Sequence, residues 1–151
     1  MITQKTKYAL KALMTLAEAQ DDDRTALTIE EIARRSGAPK RFLEHILLDL
    51  KRYGLIGSRR GRNGGYELLG EPWKISIGEV LRFVDGPIAP LPCLSRRAYK
   101  PCDDCTDEAS CRIRKAFGHV FWSYLLLIES MTLADLLEDP DLAQADFSPA
   151  S

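Results

Sequence analysis

The segment from residue 55 to residue 69 constrains the fold most, because two short apolar stretches enclose a turn rich in glycine and arginine. Residues 55–58 and 66–69 have the composition of strands, and Asn63-Gly64-Gly65 between them is a common hairpin tip. The sequence therefore predicts a small β-hairpin whose turn is strongly cationic, with Arg59, Arg60 and Arg62.

Three helices are predicted before this hairpin. Apolar residues recur at helical spacing over residues 4–19. Thr28-Ile29-Glu30-Glu31 is a capping box that begins a second helix, and Ser36-Gly37 ends it. A third helix starts near Pro39, which is tolerated in a first turn. It continues to about residue 53, where Gly54 supplies a left-handed stop.

Helix, capped helix, tight turn, helix and basic hairpin is the order of a winged helix-turn-helix. The first turn of the third helix can then read base edges in the major groove, while the hairpin follows the phosphate backbone or the minor groove. The predicted readers in that first turn are Pro39, Lys40, Arg41 and Glu44. Alternatively, these residues form an ordinary solvated face.

The charge distribution agrees with a polyanion-binding face at this end of the chain. Residues 1–70 contain 13 Lys and Arg against 9 Asp and Glu, although the whole chain has a net charge of −1. Between residues 40 and 62, seven basic residues accompany two acidic ones. A local basic patch on a near-neutral protein indicates a nucleic-acid partner.

The C-terminal half is predicted to hold a long helix over residues 109–131. Ser76-Ile77-Gly78-Glu79 resembles a second capping box, and Gly86-Pro87 closes the helix that it begins. The long helix is apolar on nearly every side, so it needs cover on more than one face. We expect a second subunit to provide that cover by contacting Phe117, Phe121, Tyr124, Leu125 and Ile128.

The predicted organisation has four parts. A DNA-binding region spans residues 1–70, and a helix with an irregular, proline-rich loop spans residues 71–108. The long dimerisation helix and a short final helix, capped by Thr132, occupy residues 109–138. Residues 139–151 are expected to fray. The fold class is therefore mainly α with one small β-hairpin.

Four cysteines fall within the irregular loop and the start of the long helix. Cys93, Cys102, Cys105 and Cys111 have the spacing C-x8-C-x2-C-x5-C. The C-x2-C pair can share one metal ion or cluster, and nearby cations can lower thiol pKa values. An iron–sulfur cluster, a four-thiolate zinc site and a disulfide switch all remain compatible with this pattern.

Several motifs resemble one bacterial regulator family, that of the iron–sulfur cluster regulator IscR and the nitric-oxide-sensitive repressor NsrR. They are Tyr8-Ala9-Leu10, the stretch over residues 42–47, the part of the predicted hairpin from Ser58 to Tyr66, which we call the wing, and Ser76-Ile77-Gly78-Glu79-Val80. The resemblance covers residues 1–137 and implies a homodimer on a two-fold symmetric DNA operator. It also implies a long helix that crosses to the partner and an iron–sulfur cluster on loop cysteines.

The wing and its surroundings extend the predicted DNA contacts beyond the first turn of the third helix. The complete set is Tyr8, Thr28, Pro39, Lys40, Arg41, Glu44, Arg59, Arg60, Gly61, Arg62 and Gly64. The cysteines depart from the family's usual three, because only Cys105 and Cys111 keep the C-x5-C spacing. The cluster type and the ligand set therefore stay open.

Other functional classes are disfavoured by what the sequence lacks. It shows no phosphate-binding loop, nucleophile–histidine–acid set or paired catalytic carboxylates, so an enzyme is not expected. With no signal peptide and no membrane-length apolar run, we expect a cytoplasmic protein. The prediction is a DNA-binding repressor controlled by the cysteine loop. An electron carrier and a regulator controlled by a protein partner are the alternatives.

Overall fold

The computed structural model describes residues 2–22 and 26–144. Helix α1 spans Gln4–Asp21, α2 spans Ile29–Ser36 and α3 spans Lys40–Arg52. The capping box at Thr28 is confirmed, since its side chain accepts from the Glu31 N–H and the Glu31 carboxylate accepts from the Thr28 N–H. Pro39 lies one residue outside α3, as its N-cap. The three helices predicted before the hairpin are therefore correct to within two residues at each described end.

The hairpin pairs β1, Ile56–Arg59, with β2, Gly65–Leu68, in antiparallel register from Ile56 opposite Leu68 to Arg59 opposite Gly65. Its strands begin and end one residue from the predicted positions. The outer edge of β2 is also held by Leu27, which exchanges two backbone hydrogen bonds of 2.8 and 2.7 Å with Tyr66. From here on, the wing is this whole hairpin.

Gly65 is the tightest point of the wing. Its φ is +139°, and a Cβ there would lie 2.3 Å from the Leu27 carbonyl oxygen. Gly61 at the tip has φ +104° but open space around it. Only the Gly65 position therefore combines a left-handed backbone with a close approach of a second chain segment.

Gly65→Ala is expected to lower the free energy of unfolding by about 3–5 kcal/mol, because backbone strain and a backbone clash add together. Gly61→Ala is the matched control. It should lower the free energy of unfolding by about 1–2 kcal/mol, because only the strain of a side chain at positive φ applies there. Urea unfolding of both variants measures the difference. Equal losses would show that the contact with Leu27 does not hold the wing.

The main core is formed by more than the helix-turn-helix itself. It buries apolar side chains of α1, α2, α3 and the wing together with residues from the elements that follow. Those following elements are a 3₁₀ turn at Pro72–Lys74, α4 at Ile77–Asp85 and α6 at Leu133–Glu138. The buried core residues from this part of the chain are Ile75, directly after the 3₁₀ turn, Val80 and Leu133.

The start of α4 differs from the prediction. Ser76 is the N-cap residue but makes no capping hydrogen bond, so the predicted second capping box is wrong. Its hydroxyl instead donates to the Glu129 carbonyl, at 3.0 Å. Gly78 permits this contact, because a Cβ there would lie 3.0 Å from the Glu129 Cγ. The tertiary contact with the long helix has replaced the local cap.

The end of α4 is fastened to the start of α1. The Thr3 and Thr6 hydroxyls both donate to the Asp85 carboxylate, at 2.6 Å. Burial raises the pKa of Asp85, but these hydrogen bonds together outweigh it and hold the pKa below its ordinary value. Asp85 therefore stabilises the fold above the pKa of an unfolded aspartate, and this contribution is lost as the pH falls through the lower folded value.

The long helix α5 spans Arg112–Ser130, and a 3₁₀ turn at Pro92–Leu94 precedes it in the loop. A second apolar cluster joins α4, this loop and α5, with Ile77, Leu81, Cys93, Leu94, Phe121, Leu125 and Ile128. α4 contributes to both clusters, since Val80 lies in the first and Leu81 in the second. It is therefore the packed link between the helix-turn-helix and the cysteine loop.

The fold class is confirmed as mainly α with one two-stranded antiparallel sheet. The capping box predicted at Thr132 is present at the start of α6. A further short helix, α7 at Pro140–Gln144, lies where a frayed tail was predicted, and residues 145–151 of that tail lie outside the described residues. Within the part of the chain that the structure describes, no helix is long and apolar enough to cross a membrane.

Candidate nucleic-acid interface and cysteine loop

All four predicted readers, Pro39, Lys40, Arg41 and Glu44, are exposed at the N-terminal end of α3. Leu43, Ile46, Leu47 and Leu50 on the other side of the helix are buried. Lys40 is tied to Glu30 of α2 by a 2.6 Å ion pair, which raises the pKa of Lys40 and lowers that of Glu30. This pair joins the two helices of the helix-turn-helix at their surface.

Two further predicted contacts take part in the local structure. Tyr8 is half-buried, with its ring 5.4 Å from that of Phe42. The Arg41 guanidinium lies 4.9 Å from the centre of the same Phe42 ring. Thr28 is exposed, but its hydroxyl oxygen is used to cap α2. Phe42 was not among the predicted contacts, yet it orients Arg41.

The wing carries its arginines on an exposed turn. Arg59 forms a 2.9 Å ion pair with Glu67 across the two strands. Arg60 and Arg62 are exposed and form no ion pair with any described residue. Gly61 and Gly64 shape the tip, since the Gly64 N–H donates to the Gly61 carbonyl at 3.0 Å. Arg60 and Arg62 are thus the cations of the wing with the most freedom to meet a phosphate.

The four cysteines are free thiols in one region of the structure. Cys93 is buried in the second apolar cluster, and the other three are half-buried. Cys102 packs against the cluster that contains Cys93. The Cys105 N–H donates to the Cys102 carbonyl at 3.1 Å. Cys111 caps α5, with its Sγ accepting from the Arg114 N–H at 3.4 Å.

The predicted lowering of thiol pKa values is wrong for two of the four. Burial raises the pKa of Cys102, and the neighbouring Cys93 raises it further. Burial also raises the pKa of Cys105, followed by the nearby Glu108 carboxylate and the Cys111 thiol. The arginines counted from the sequence do not offset these effects. These two thiols are therefore protonated at neutral pH, and a metal that binds them must displace their protons.

Arg114 is a residue of this loop that the sequence analysis missed. Its Nη2 donates to the Cys93 carbonyl at 3.5 Å, and its Nε lies 3.7 Å from the Glu108 carboxylate. Tyr99 donates its hydroxyl to the same Glu108. Arg114 thus connects Cys93, the first cysteine, to Glu108 in the turn that precedes Cys111, the last cysteine. The signal was its place three residues after Cys111, in the first turn of α5.

The donor set suits a thiolate-ligated metal or cluster in type and number, because four thiols belong to one loop. Across residues 2–22 and 26–144, however, no group of three or more Cys, His, Asp or Glu side chains is already arranged to hold a metal ion. The donors fit such a group chemically. To hold such a group, the loop would have to draw the four thiols together.

The five residues predicted for the dimer interface lie on two apolar stripes of α5 that differ in exposure. Phe121, Leu125 and Ile128 are buried against α4 and the loop of the same protomer. These three are at most 9% exposed, so whether they contact a second subunit stays a prediction. Phe117 and Tyr124 remain exposed, and they share a stripe with three other exposed apolar residues, Ile113, Val120 and Leu127.

An exposed reading helix followed by a cationic wing defines a transcription regulator of the winged helix-turn-helix class. Residues 2–139 match the family model of Rrf2, described as an iron-dependent transcriptional regulator. The chain belongs to the Rrf2 family.

Relatives and solved structures of the same family extend along nearly the whole chain. The chain is 70% identical over 138 residues to an rrf2-like HTH-type regulator of Rhodobacter capsulatus, covering 91% of this chain and 92% of that protein. It is 32% identical over 138 residues to NsrR of Geobacillus kaustophilus, covering 91% and 90%. Its fold is similar to CymR, the global cysteine regulator of B. subtilis, with a TM-score of 0.73, 27% identity and coverage of 91% and 95%. Its fold is also similar to that of IscR of T. potens, with a TM-score of 0.72, 26% identity and coverage of 97% of this chain and 92% of that chain.

Proposed function

We propose that this protein represses transcription as a homodimer on a two-fold symmetric operator, and that an iron–sulfur cluster on the cysteine loop sets its operator affinity. The observation that carries the proposal is the packing of α4. This one helix buries Val80 beneath the helix-turn-helix and Leu81 beside Cys93 and α5. Reader and cysteine loop therefore share a rigid element.

The DNA contacts follow from the exposed cations and from α3. Lys40 and Arg41 can donate to phosphates or to guanine, and Glu44 can accept from a cytosine amino group. Arg60 and Arg62 on the wing can follow the backbone. Arg59 assists from the base of the turn, where Glu67 holds it.

The dimer contact follows from the exposed stripe of α5. Its members, Ile113, Phe117, Val120, Tyr124 and Leu127, are spaced alternately by four and three residues, which is the spacing of a coiled-coil seam. Their exposed fractions range from 39% to 68%. A contiguous apolar stripe of this kind marks an interaction surface. In a two-fold symmetric dimer, the α5 helix of each subunit would cover this stripe on the other.

The cysteine loop would hold the cluster through Cys105 and Cys111, with Cys93 and Cys102 completing the thiolate set. The family description, an iron-dependent transcriptional regulator, supports iron at this site. A cluster bound here supplies redox and ligand-exchange chemistry that a thiol loop alone lacks. Arg114 and Glu108 would connect the occupied loop to the first turn of α5. Zinc is the alternative occupant of the same four thiols.

A thiol switch is a second candidate, favoured by the packing of Cys102 against the cluster that contains Cys93. Joining Cys93 and Cys102 as a disulfide removes two protons and two electrons, which hydrogen peroxide would accept to give two waters, or an organic peroxide to give water and an alcohol. CymR, whose fold is similar, is named as a cysteine regulator. Loss of two free thiols after peroxide treatment, with no iron or zinc bound beforehand, would favour this switch.

Selection of bound fragments from the host genome, followed by hydroxyl-radical footprinting, tests the DNA-binding dimer. The expected result is an inverted repeat whose half-site centres lie about one helical turn apart or a multiple of it. Glu44→Ala should change the preferred base at one position in each half-site, since a lone acceptor rejects bases without a donor. A single asymmetric footprint, or no sequence preference, would contradict the proposal.

A further inference from the structure

A cavity of about 280 Å³ opens between the end of α4, the cysteine loop and α5. Its polar lining consists of three arginines, one serine and one glutamate, namely Arg82, Ser95, Arg96, Arg97 and Glu129. Three positive charges face one negative charge, so the cavity has a net charge of about +2. Such a lining favours an anion over a cation or a neutral molecule.

Arg82 is the most deeply placed cation of this cavity. Its Nη1 forms a 2.7 Å ion pair with Glu129, and its side chain is 13% exposed. Its Nε is buried and has no hydrogen-bond partner among the described residues. Arg82 therefore brings a largely buried guanidinium to the wall of the cavity, where it can donate to an anion.

Ser95 and Arg96 are oriented by the protein itself. Ser95 is 7% exposed, and its Oγ accepts from the Ala98 N–H at 3.0 Å. No described residue accepts its hydroxyl proton, which stays available to a ligand. The Arg96 guanidinium lies 4.2 Å from the centre of the Trp122 ring, which fixes its plane. Arg97 is exposed at the rim.

We propose that this cavity binds a small free anion through an oxyanion head group, either a carboxylate or a tetrahedral oxyanion. Carboxylates and tetrahedral oxyanions accept hydrogen bonds from arginine guanidinium groups and from serine hydroxyls. The volume lies just below the usual range for small-molecule sites, which limits the ligand to a small molecule. The apolar wall at Leu125 accommodates a short carbon body.

The site is independent of the exposed stripe of α5. Leu125 and Glu129 line the cavity, whereas Val120 and Phe117 belong to the stripe on another face of the helix. A second subunit that covered only the stripe would leave the cavity open. A bound anion would hold residues 95–97, directly after Cys93 and Leu94, against α4 and α5.

Isothermal titration calorimetry of the full chain tests the site, with sodium phosphate and sodium acetate as separate probes in Tris at constant ionic strength. One-to-one saturable binding of either probe is expected, and the probe that binds tells a tetrahedral oxyanion from a carboxylate. Arg97→Gln and Ser95→Ala should each weaken that binding by about tenfold.

Lys100→Gln is the matched control, because Lys100 is a 72% exposed cation of the same loop that does not line the cavity. It should leave the affinity within about twofold of the unmodified protein, since a distant exposed charge is screened. Three results would overturn the proposal: no saturable binding of either probe, equal binding of chloride, or equal weakening by Lys100→Gln and Arg97→Gln. Arg97 is exposed, so its substitution leaves the fold intact and each result is interpretable.

Discussion

Operator affinity is expected to fall about 10³–10⁵-fold when the salt concentration rises from 50 to 200 mM. A dimer that neutralises roughly six to ten phosphates displaces a corresponding number of condensed counterions, and added salt opposes that release. Two wings, each with Arg60 and Arg62 exposed and outside any described ion pair, supply part of this count. Fluorescence anisotropy across a salt series measures the slope.

Arg60→Ala should lower that slope by about two per dimer, one for each phosphate contact removed, and weaken binding on all sequences alike. Arg112→Ala is the matched control, because Arg112 is an exposed arginine at the start of α5, far along the chain from the wing. An unchanged slope for Arg60→Ala, or an equal change for Arg112→Ala, would show that the wing does not contact the DNA backbone.

Val120→Glu is expected to weaken self-association by roughly 10²–10⁴-fold. Val120 is 68% exposed in the protomer, so the change leaves the protomer's own packing intact. At a two-fold seam it removes two apolar contacts, each worth about 1.5–3 kcal/mol, before any repulsion between the new charges. Sedimentation velocity over a concentration series measures the shift from dimer to monomer.

Leu126→Glu provides the control for this experiment. Leu126 is 67% exposed, almost the same as Val120, but it lies off the stripe that Ile113, Val120 and Leu127 share. It should leave the dimer unchanged. If both variants dissociate equally, or neither does, the exposed stripe is not the subunit contact.

Local signals were sufficient to predict the helix-turn-helix and the wing. The capping box at Thr28, the stop at Gly54 and the Asn-Gly-Gly tip depend on neighbours in the chain. Ser76-Ile77-Gly78-Glu79 has the same letters as a capping box but forms none, because the Ser76 hydroxyl reaches the distant Glu129 carbonyl. A residue pattern cannot reveal that a tertiary acceptor will outcompete the local one.

The C-terminal half shows the same limit for burial and charge. Phe121 and Val120 are equally apolar in sequence, yet one is covered by α4 and the other is exposed. Only the packing of α4 against α5 separates the two stripes. Counting nearby cations predicted acidic thiols, but burial governs Cys102 and Cys105. The spacing of the four cysteines was visible in the sequence. Their burial, and therefore their pKa values, could be known only from the fold.

The packing of α4 explains how the cysteine loop could act on DNA binding. A cluster changes operator affinity only if the DNA-competent and incompetent arrangements hold it differently. α4 offers a path for such a difference, since one face packs under the helix-turn-helix and the other beside Cys93. Asp85 at its end also holds the start of α1 through Thr3 and Thr6.

Operator affinity measured on three forms of the protein tests this account most directly. The forms are the protein reconstituted anaerobically with iron and sulfide, the metal-free protein, and Cys105→Ala treated in the same way as the first. A coupling of about 1–3 kcal/mol predicts that the reconstituted protein differs from the metal-free protein by 5- to 150-fold, and that Cys105→Ala behaves like the metal-free form. Identical affinity in all three forms would contradict a sensor role for the cysteine loop.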